Sequence, residues 1–232
     1  MPKSINRQHL RIVLVSCFTG CNMLLGLISM LSAAAGAINV AALCLLGCIV
    51  CDSIDGALAR LLKASSPFGA QFDSLADMSS FSLASAVLVY YWFQPVTPHW
   101  IVLGAACLYV LAGAIRLARF NVTPYDGDFF QGMPTTGVAA VLVLVYLTFP
   151  SLEAGLGLGL FVLLALLMVS VFPYMKLTQL KRFPRWAWPL LTAGAILNLA
   201  FVSLPLMLWA AVGAYVCSGP VLWLRNRHRA AQ

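Results

Sequence analysis

The chain has 232 residues, of which 62% are hydrophobic and only 9% are charged. This composition excludes an ordinary soluble domain and is typical of a polytopic membrane protein. The net charge of +7 would indicate nucleic-acid binding in a soluble protein, but in a membrane protein it follows from the positive-inside rule. No nucleic-acid partner is therefore expected.

We predict an all-α membrane protein with about eight transmembrane helices in a single domain, residues 1–232. A helix is expected wherever an apolar run approaches the roughly 20 residues that cross a bilayer. The expected spans are, in chain order, one that follows the basic start at 1–11 and ends near Ala35, one from Ile38, one from Phe68 to Phe93, one from Trp100 to Leu117, one from Pro134 to Phe149, one that ends near Tyr174, and two at 187–204 and 206–224. The first six form a core at about 10–175, and the last two an additional C-terminal pair at about 187–224.

The basic residues indicate the orientation of the chain. With eight crossings, all fourteen Lys and Arg residues fall on one side, and the connections at 94–99 and 150–155 on the other side contain none. Because basic loops remain in the cytoplasm, we expect both termini at the cytoplasmic face of the cell (inner) membrane.

Three polar or thiol side chains inside the spans have a structural interpretation. Asn22 is expected to bond a neighbouring helix rather than a substrate. Cys48 and Cys51 form a lone C-x-x-C without a second pair or a histidine partner, so they are expected to pack between helices and not to bind zinc.

Four of the seven carboxylates in the chain lie in one short stretch. Asp52 and Asp55 are three residues apart and share a helix face, about 4.5 Å apart along the axis. Gly69, Asp73 and Asp77 fall at i, i+4 and i+8 and line one face of the next helix. A hairpin of these two helices would direct all four carboxylates into one space, at the cytoplasmic end of spans two and three.

Such a cluster is unfavourable without a cation. Each Asp in apolar surroundings costs roughly 2.5–3.5 kcal/mol, and neighbouring like charges repel further. All-oxygen ligands point to Mg, Mn or Ca, and a pair of such ions suits displacement at phosphorus. Nearby cations could hold phosphates, namely Arg60, Lys63, Arg116 and Arg119. A salt-bridged network, helix packing through Gly56 and Gly69, and an ion transporter with intramembrane carboxylates are the alternatives.

The residues D-x2-D-G-x2-A-R-x8-G-x3-D-x3-D resemble, at every fixed position, the signature of the CDP-alcohol phosphatidyltransferases. The matching residues are Asp52, Asp55, Gly56, Ala59, Arg60, Gly69, Asp73 and Asp77. The resemblance implies that the six-helix core is the catalytic core of that family. It also implies two Mg²⁺ or Mn²⁺ ions, a CDP-lipid substrate, surrounding membrane lipids and a homodimer.

The resemblance further implies a role for each residue. Asp52, Asp55 and Asp73 would be metal ligands, and Asp77 would be both a ligand and the catalytic base. The CDP moiety would be bound by Asp52, Asp55, Gly56, Ala59, Arg60 and Gly69.

A second stretch resembles the branch of this family that uses serine. It consists of R-L-A-R-F-N at 116–121 followed by G-M-P at 132–134, where Met133 departs from the usual Leu, with P-Y-x-K at 173–176. That branch transfers a phosphatidyl group from CDP-diacylglycerol to L-serine with release of CMP. Arg116, Arg119 and Asn121 are the expected acceptor or phosphate-binding residues, with membrane anchoring and helix capping as their other interpretation. Glycerol phosphate or inositol phosphate as acceptor, or an ether-lipid donor, remain alternatives.

Overall fold

The computed structural model describes residues 7–64, 66–122, 129–175, 209, 213, 215–220 and 223. The elements are, in chain order, α1 (Arg7–Ala34), α2 (Ile38–Leu62), α3 (Pro67–Asp77), a π-helical segment (Met78–Ala84), α4 (Ser85–Phe93), α5 (His99–Val122), β1 (Phe129–Gln131), α6 (Thr135–Thr148), α7 (Ala154–Val169) and β2 (Pro173–Met175). The predicted helical architecture is therefore present, with one small addition: a two-stranded antiparallel ladder of β1 and β2.

Within the described residues, four continuous helical stretches are long and apolar enough to cross a membrane: Gln8–Ala34, Ile38–Leu62, Pro67–Phe93 and His99–Val122. The shorter apolar helices α6 and α7 have 14 and 16 residues, or roughly 21 and 24 Å at 1.5 Å per residue. The chain is thus an integral membrane protein. The predicted C-terminal pair at 187–224 lies largely outside the described residues.

The connection between α2 and α3 turns the chain back within a few residues. Lys63 closes α2 in the left-handed conformation, with φ of 50°. The Ser66 side chain then caps α3 by accepting a hydrogen bond from the Gly69 N–H at 3.0 Å, and Pro67 occupies the first turn. Proline needs no N–H partner there, and serine supplies an acceptor for an otherwise unpaired donor. The C-terminal end of α2 and the N-terminal end of α3 therefore lie side by side.

The third span contains a π-helical segment that the sequence analysis did not predict. Its buried serines lie against glycines of two other helices: a Cβ on Gly26 of α1 would lie 2.8 Å from the Ser80 Oγ, and one on Gly113 of α5 would contact the Ser82 Oγ. The glycines thus let α1 and α5 approach this segment closely. Segments of this kind are often found at functional sites, and this one begins directly after Asp77.

The hydrophobic core lies between α2, the third span, α5, α6 and α7. Tyr109 of α5 stacks on Phe161 of α7 with ring centroids 4.3 Å apart, and the Tyr109 hydroxyl donates to the Phe81 carbonyl at 3.2 Å. At the N-terminal end of α7, the exposed Glu153 accepts hydrogen bonds from two backbone N–H groups of the first turn. These bonds lower the pKa of the Glu153 carboxyl.

The prediction that the sixth span ends near Tyr174 is wrong. Helix α7 ends at Val169, and the chain then enters β2. Pro173 accounts for the early end, because proline lacks an N–H and disfavours helix in the residue before it. The ladder with β1 fixes the turn at Gly132, whose φ is +78° and whose N–H donates to the Phe172 carbonyl at 2.9 Å.

The structure agrees with the packing role predicted for Cys48 but not with the side-chain bond predicted for Asn22. Cys48 is buried, and its thiol donates to the Asn22 carbonyl at 3.4 Å. The prediction that the Asn22 side chain bonds a neighbouring helix is wrong within the described chain, where neither its oxygen nor its nitrogen has a hydrogen-bond partner. The interhelical bonds at this position use the Asn22 main-chain carbonyl instead, which also accepts from the Ser80 hydroxyl at 2.9 Å.

Candidate active site

Three carboxylates meet at the junction of α2 and α3. One oxygen from each of Asp52, Asp55 and Asp73 lies within 4.8 Å of the other two. Asp55 is only 3% exposed, while Asp52 and Asp73 are half-buried. Helical spacing on α2 and the tight turn into α3 bring these oxygens together, as the sequence pattern indicated.

Asp77 lies one turn beyond Asp73, at the last residue of α3. Its carboxyl group lies next to that of Asp52. One oxygen of Asp77 and one of Asp55 are buried without a hydrogen-bond partner among the described residues. Asp77 is thus adjacent to the three-carboxylate cluster but is not one of the three residues whose oxygens converge most closely.

This donor set fits a hard divalent cation. It consists of carboxylate oxygens, and one buried oxygen of Asp55 and one of the adjacent Asp77 have no hydrogen-bond donor among the described residues. Buried polar atoms normally have a partner, and an all-oxygen set is preferred by Mg²⁺, Mn²⁺ or Ca²⁺. The Asp cluster could therefore hold a metal ion.

A cleft opens from the carboxylates between the start of α1 and the α2–α3 junction. Its walls are formed by small residues and two of the aspartates: Val15, Ser16, Thr19, Asp55, Gly56, Ala59, Ala64, Ser66, Gly69, Ala70 and Asp73. The expected CDP-binding residues Gly56, Ala59 and Gly69 thus line a single cleft. The absence of large side chains leaves room for a ligand to reach the backbone.

Two of the candidate phosphate-binding cations lie near the mouth of this cleft. Arg60 is exposed, and its guanidinium folds back along α2, so that a Cβ on Gly56 would be 3.6 Å from the Arg60 Nη1. Lys63 is exposed at the end of α2. Arg60 is therefore placed to reach a ligand in the cleft, and Lys63 directly precedes Ala64 of the cleft wall.

Arg116 lies near the end of α5 and is not among the residues that line the cleft. It is 9% exposed, and its Nη1 donates to the Thr135 hydroxyl at 3.1 Å. The guanidinium is close enough to Asp52 and Asp77 to interact with both electrostatically. A buried arginine next to carboxylates partly compensates their charge and can receive an anionic ligand.

Arg119 and Asn121 hold helices together at their present positions. The Arg119 guanidinium donates to the carbonyls of Val169 and Ser170, at 2.8 and 3.3 Å, and so caps the C-terminal end of α7. Asn121 accepts a hydrogen bond from the Ser74 hydroxyl at 3.0 Å, which joins α5 to α3. The expected cluster of three acceptor residues is thus divided, with only Arg116 directed to the carboxylates.

Sequence reasoning missed three threonines at the site. Thr136 of α6 donates to the Asp52 Oδ2 at 3.3 Å, and Thr135 accepts from Arg116. Thr19 of α1 lines the cleft together with Asp55, and its hydroxyl donates to the Val15 carbonyl at 3.3 Å. For Thr135 and Thr136, the only signal in the sequence was the polar pair T-T opening an apolar helix directly after G-M-P.

A model of the CDP-alcohol phosphatidyltransferase family matches residues 12–173. A CDP-diacylglycerol–serine O-phosphatidyltransferase of Helicobacter pylori (strain J99) is 33% identical over 216 residues, which cover 89% of each chain. An enzyme of the same name from Mycobacterium leprae is 32% identical, over 99% of this chain and 80% of the relative. An archaetidylserine synthase of Methanothermobacter thermautotrophicus is 36% identical over 53% of each chain.

Proposed function

This chain belongs to the CDP-alcohol phosphatidyltransferase family, and we propose that it transfers the phosphatidyl group of CDP-diacylglycerol to the hydroxyl of L-serine. The products are phosphatidylserine and CMP. The observation that carries the proposal is the convergence of three carboxylates on a cleft lined by small residues, in a membrane protein whose curated relatives are named for this reaction.

Asp52, Asp55 and Asp73 are the proposed ligands of two Mg²⁺ or Mn²⁺ ions, with Asp77 as a further ligand. When bound, the ions neutralise the diphosphate and stabilise charge on the attacked phosphorus and the leaving oxygen. The close approach of the three oxygens supports this assignment, because their mutual repulsion is relieved by a cation.

The cleft is the proposed site of the cytidine diphosphate moiety. Gly56, Ala59 and Gly69 leave its walls free of bulky side chains, so a nucleotide can approach the backbone closely. Arg60, folded over Gly56 at the edge of the cleft, is placed to pair with a phosphate or with the nucleotide.

Asp77 is the proposed general base. The serine oxygen attacks the phosphorus that carries the diacylglycerol, the bond from that phosphorus to the CMP oxygen breaks, and CMP leaves with the electron pair. The serine hydroxyl must lose its proton in this step, and a carboxylate within hydrogen-bond reach can accept it. A buried Asp77 oxygen that has no hydrogen-bond donor within the described part of the chain supports this role.

The carboxylate of serine is assigned to Arg116. Its guanidinium lies near Asp52 and Asp77, so a serine whose carboxylate is bound there would have its hydroxyl close to the proposed base. Arg119 and Asn121 already bind main-chain carbonyls and Ser74, and we assign them to holding the acceptor side in place.

The reaction is proposed to occur at the cytoplasmic face of the inner membrane, with both termini cytoplasmic. The one-sided distribution of Lys and Arg supports this orientation. It would place the carboxylates, which lie near the ends of α2 and α3, where a soluble amino acid and a lipid substrate can both arrive.

The experiment is a CMP-release assay with purified protein in detergent. CDP-diacylglycerol is combined separately with serine, glycerol phosphate, inositol phosphate and choline, and a CDP-activated ether lipid is tested as the second donor. We expect release with serine, its loss in EDTA and its recovery with Mg²⁺ or Mn²⁺. Release with another acceptor but not with serine would refute the serine assignment, and full turnover in metal-free buffer would refute the metal mechanism.

A further inference from the structure

Two neighbouring threonines at the start of α6 contact two different parts of the site. The Thr136 hydroxyl donates to the Asp52 Oδ2 at 3.3 Å, and the Thr135 hydroxyl accepts from the Arg116 Nη1 at 3.1 Å. We propose that both are positioning residues, and that Thr136 sets metal affinity through Asp52 while Thr135 sets acceptor affinity through Arg116. This inference rests on the proposed function for the acceptor half and on the Asp cluster alone for the metal half.

Thr136 is placed to fix the rotation of the Asp52 carboxylate. The terminal torsion of an aspartate is broad, so an unrestrained carboxylate can turn its oxygens away from a cation. A hydroxyl bound to Oδ2 selects one orientation and offers the same geometry each time a metal binds. Hydrogen-bond partners of metal ligands typically contribute 10–100-fold in metal affinity.

Thr135 restrains the arginine in a comparable way. Thr135 is fully buried and Arg116 is 9% exposed, so the bond between them is shielded from water. A planar guanidinium gains specificity for a carboxylate only when its plane is fixed. The Thr135 hydroxyl binds Nη1 and thereby fixes the orientation of the Arg116 guanidinium. That guanidinium also interacts electrostatically with Asp77.

The start of α6 is itself held rigidly. The left-handed Gly132 and the ladder of β1 with β2 precede it, and the Met133 N–H donates to the Leu167 carbonyl of α7 at 3.1 Å. Pro134 occupies the cap position in an extended conformation, without a side-chain capping bond. Thr135 and Thr136 therefore use their hydroxyls for tertiary contacts rather than for their own helix.

Threonine-to-valine substitutions separate the two roles, because valine keeps the shape and removes the hydroxyl. Mn²⁺ binding to purified protein without substrates is measured by electron paramagnetic resonance of the free ion, and serine kinetics are measured at saturating Mn²⁺. Thr136→Val should weaken Mn²⁺ binding roughly 10–100-fold and leave the KM for serine unchanged. Thr135→Val should raise that KM about 5–10-fold, the usual scale of one hydrogen bond, with Mn²⁺ affinity unchanged.

Thr148→Val is the matched control, since Thr148 lies at the far end of the same helix and bonds only the Leu144 carbonyl among the contacts described for it. Thr135→Ser and Thr136→Ser restore a hydroxyl and should restore each parameter. Unchanged Mn²⁺ affinity in Thr136→Val, or unchanged serine KM in Thr135→Val, overturns the corresponding assignment. The pair would have only a structural role if both valine variants changed Mn²⁺ affinity and the serine KM equally, lowered the unfolding midpoint and were not matched by recovery in Thr135→Ser and Thr136→Ser. Absence of serine turnover by the wild-type protein would instead refute the proposed function, and the Mn²⁺ measurement would still decide the role of Thr136.

Discussion

Removing one carboxylate from the Asp52–Asp55–Asp73 cluster should stabilise the metal-free protein. The converging oxygens lie within 4.8 Å of one another, so each pair of charges repels by roughly 1 kcal/mol in bulk water and by about 3.5 kcal/mol at an effective dielectric of about 20. Asp73→Asn removes two of the three pairs, or roughly 2–7 kcal/mol of repulsion. Because proton uptake by coupled carboxylates already relieves part of this repulsion, we expect the lower value, about 2 kcal/mol, which corresponds to a rise of about 4–8 °C in the unfolding midpoint.

The assay is thermal unfolding in detergent, followed by tryptophan fluorescence with EDTA and then with excess Mn²⁺. The wild-type midpoint should rise with Mn²⁺, and that of Asp73→Asn should be higher than wild type in EDTA but respond less to the ion. Glu153→Gln is the control, since it removes a carboxylate that caps α7 away from the cluster and should not raise the midpoint. A lower midpoint for Asp73→Asn in EDTA, combined with an undiminished response to Mn²⁺, would refute the repulsion argument.

Three further predictions concern orientation, the arginines and the turn before α6. In intact cells of a bacterial host, a cysteine introduced at Ser151 should react with an impermeant maleimide and one at Lys63 should not; the reverse pattern would contradict the proposed orientation. Arg116→Ala should raise the KM for serine at least 10-fold, the scale of a lost charged hydrogen bond. Arg119→Ala should mainly lower the unfolding midpoint, because the Arg119 hydrogen bonds go to main-chain carbonyls at the end of α7. A larger effect on the serine KM from Arg119→Ala than from Arg116→Ala would reverse this assignment. Gly132→Ala should lower the midpoint and slow turnover, since φ is +78° and the added Cβ would meet a carbonyl of α7; unchanged stability would show that the turn can relax.

The placement of the aspartates could be predicted because it depends on short-range geometry. Asp52 and Asp55 share a face by helical period, and the break before Pro67 reverses the chain within a few residues. Both features are local in sequence, and the high cost of isolated carboxylates in a membrane favours one arrangement that brings them together.

The threonines and the division of the acceptor residues could not be predicted in the same way. Thr136 is 84 residues from the aspartate it contacts, so the contact depends on how α6 packs against α2. Arg116 and Arg119 are equivalent as an i, i+3 pair in the sequence, and only the position of α7 decides that Arg119 meets carbonyls. The end of α7 could have been predicted from the sequence, because Pro173 disfavours a helix that continues to Tyr174. The apolar run up to Tyr174 led to the later predicted end.

Substitution of Asp77 should affect turnover and ligand binding differently from substitution of the other carboxylates. Asp77→Asn keeps the shape of the side chain and a metal-capable oxygen but removes the base, so turnover should fall roughly 100-fold or more, while Mn²⁺ and CDP-lipid binding largely persist. Asp55→Asn alters one of the converging oxygens and should weaken both kinds of binding together. The measurement is turnover and CDP-lipid affinity for each variant across a Mn²⁺ titration. If excess Mn²⁺ alone restores wild-type turnover to Asp77→Asn, Asp77 acts only as a ligand, and the serine proton must leave by another route.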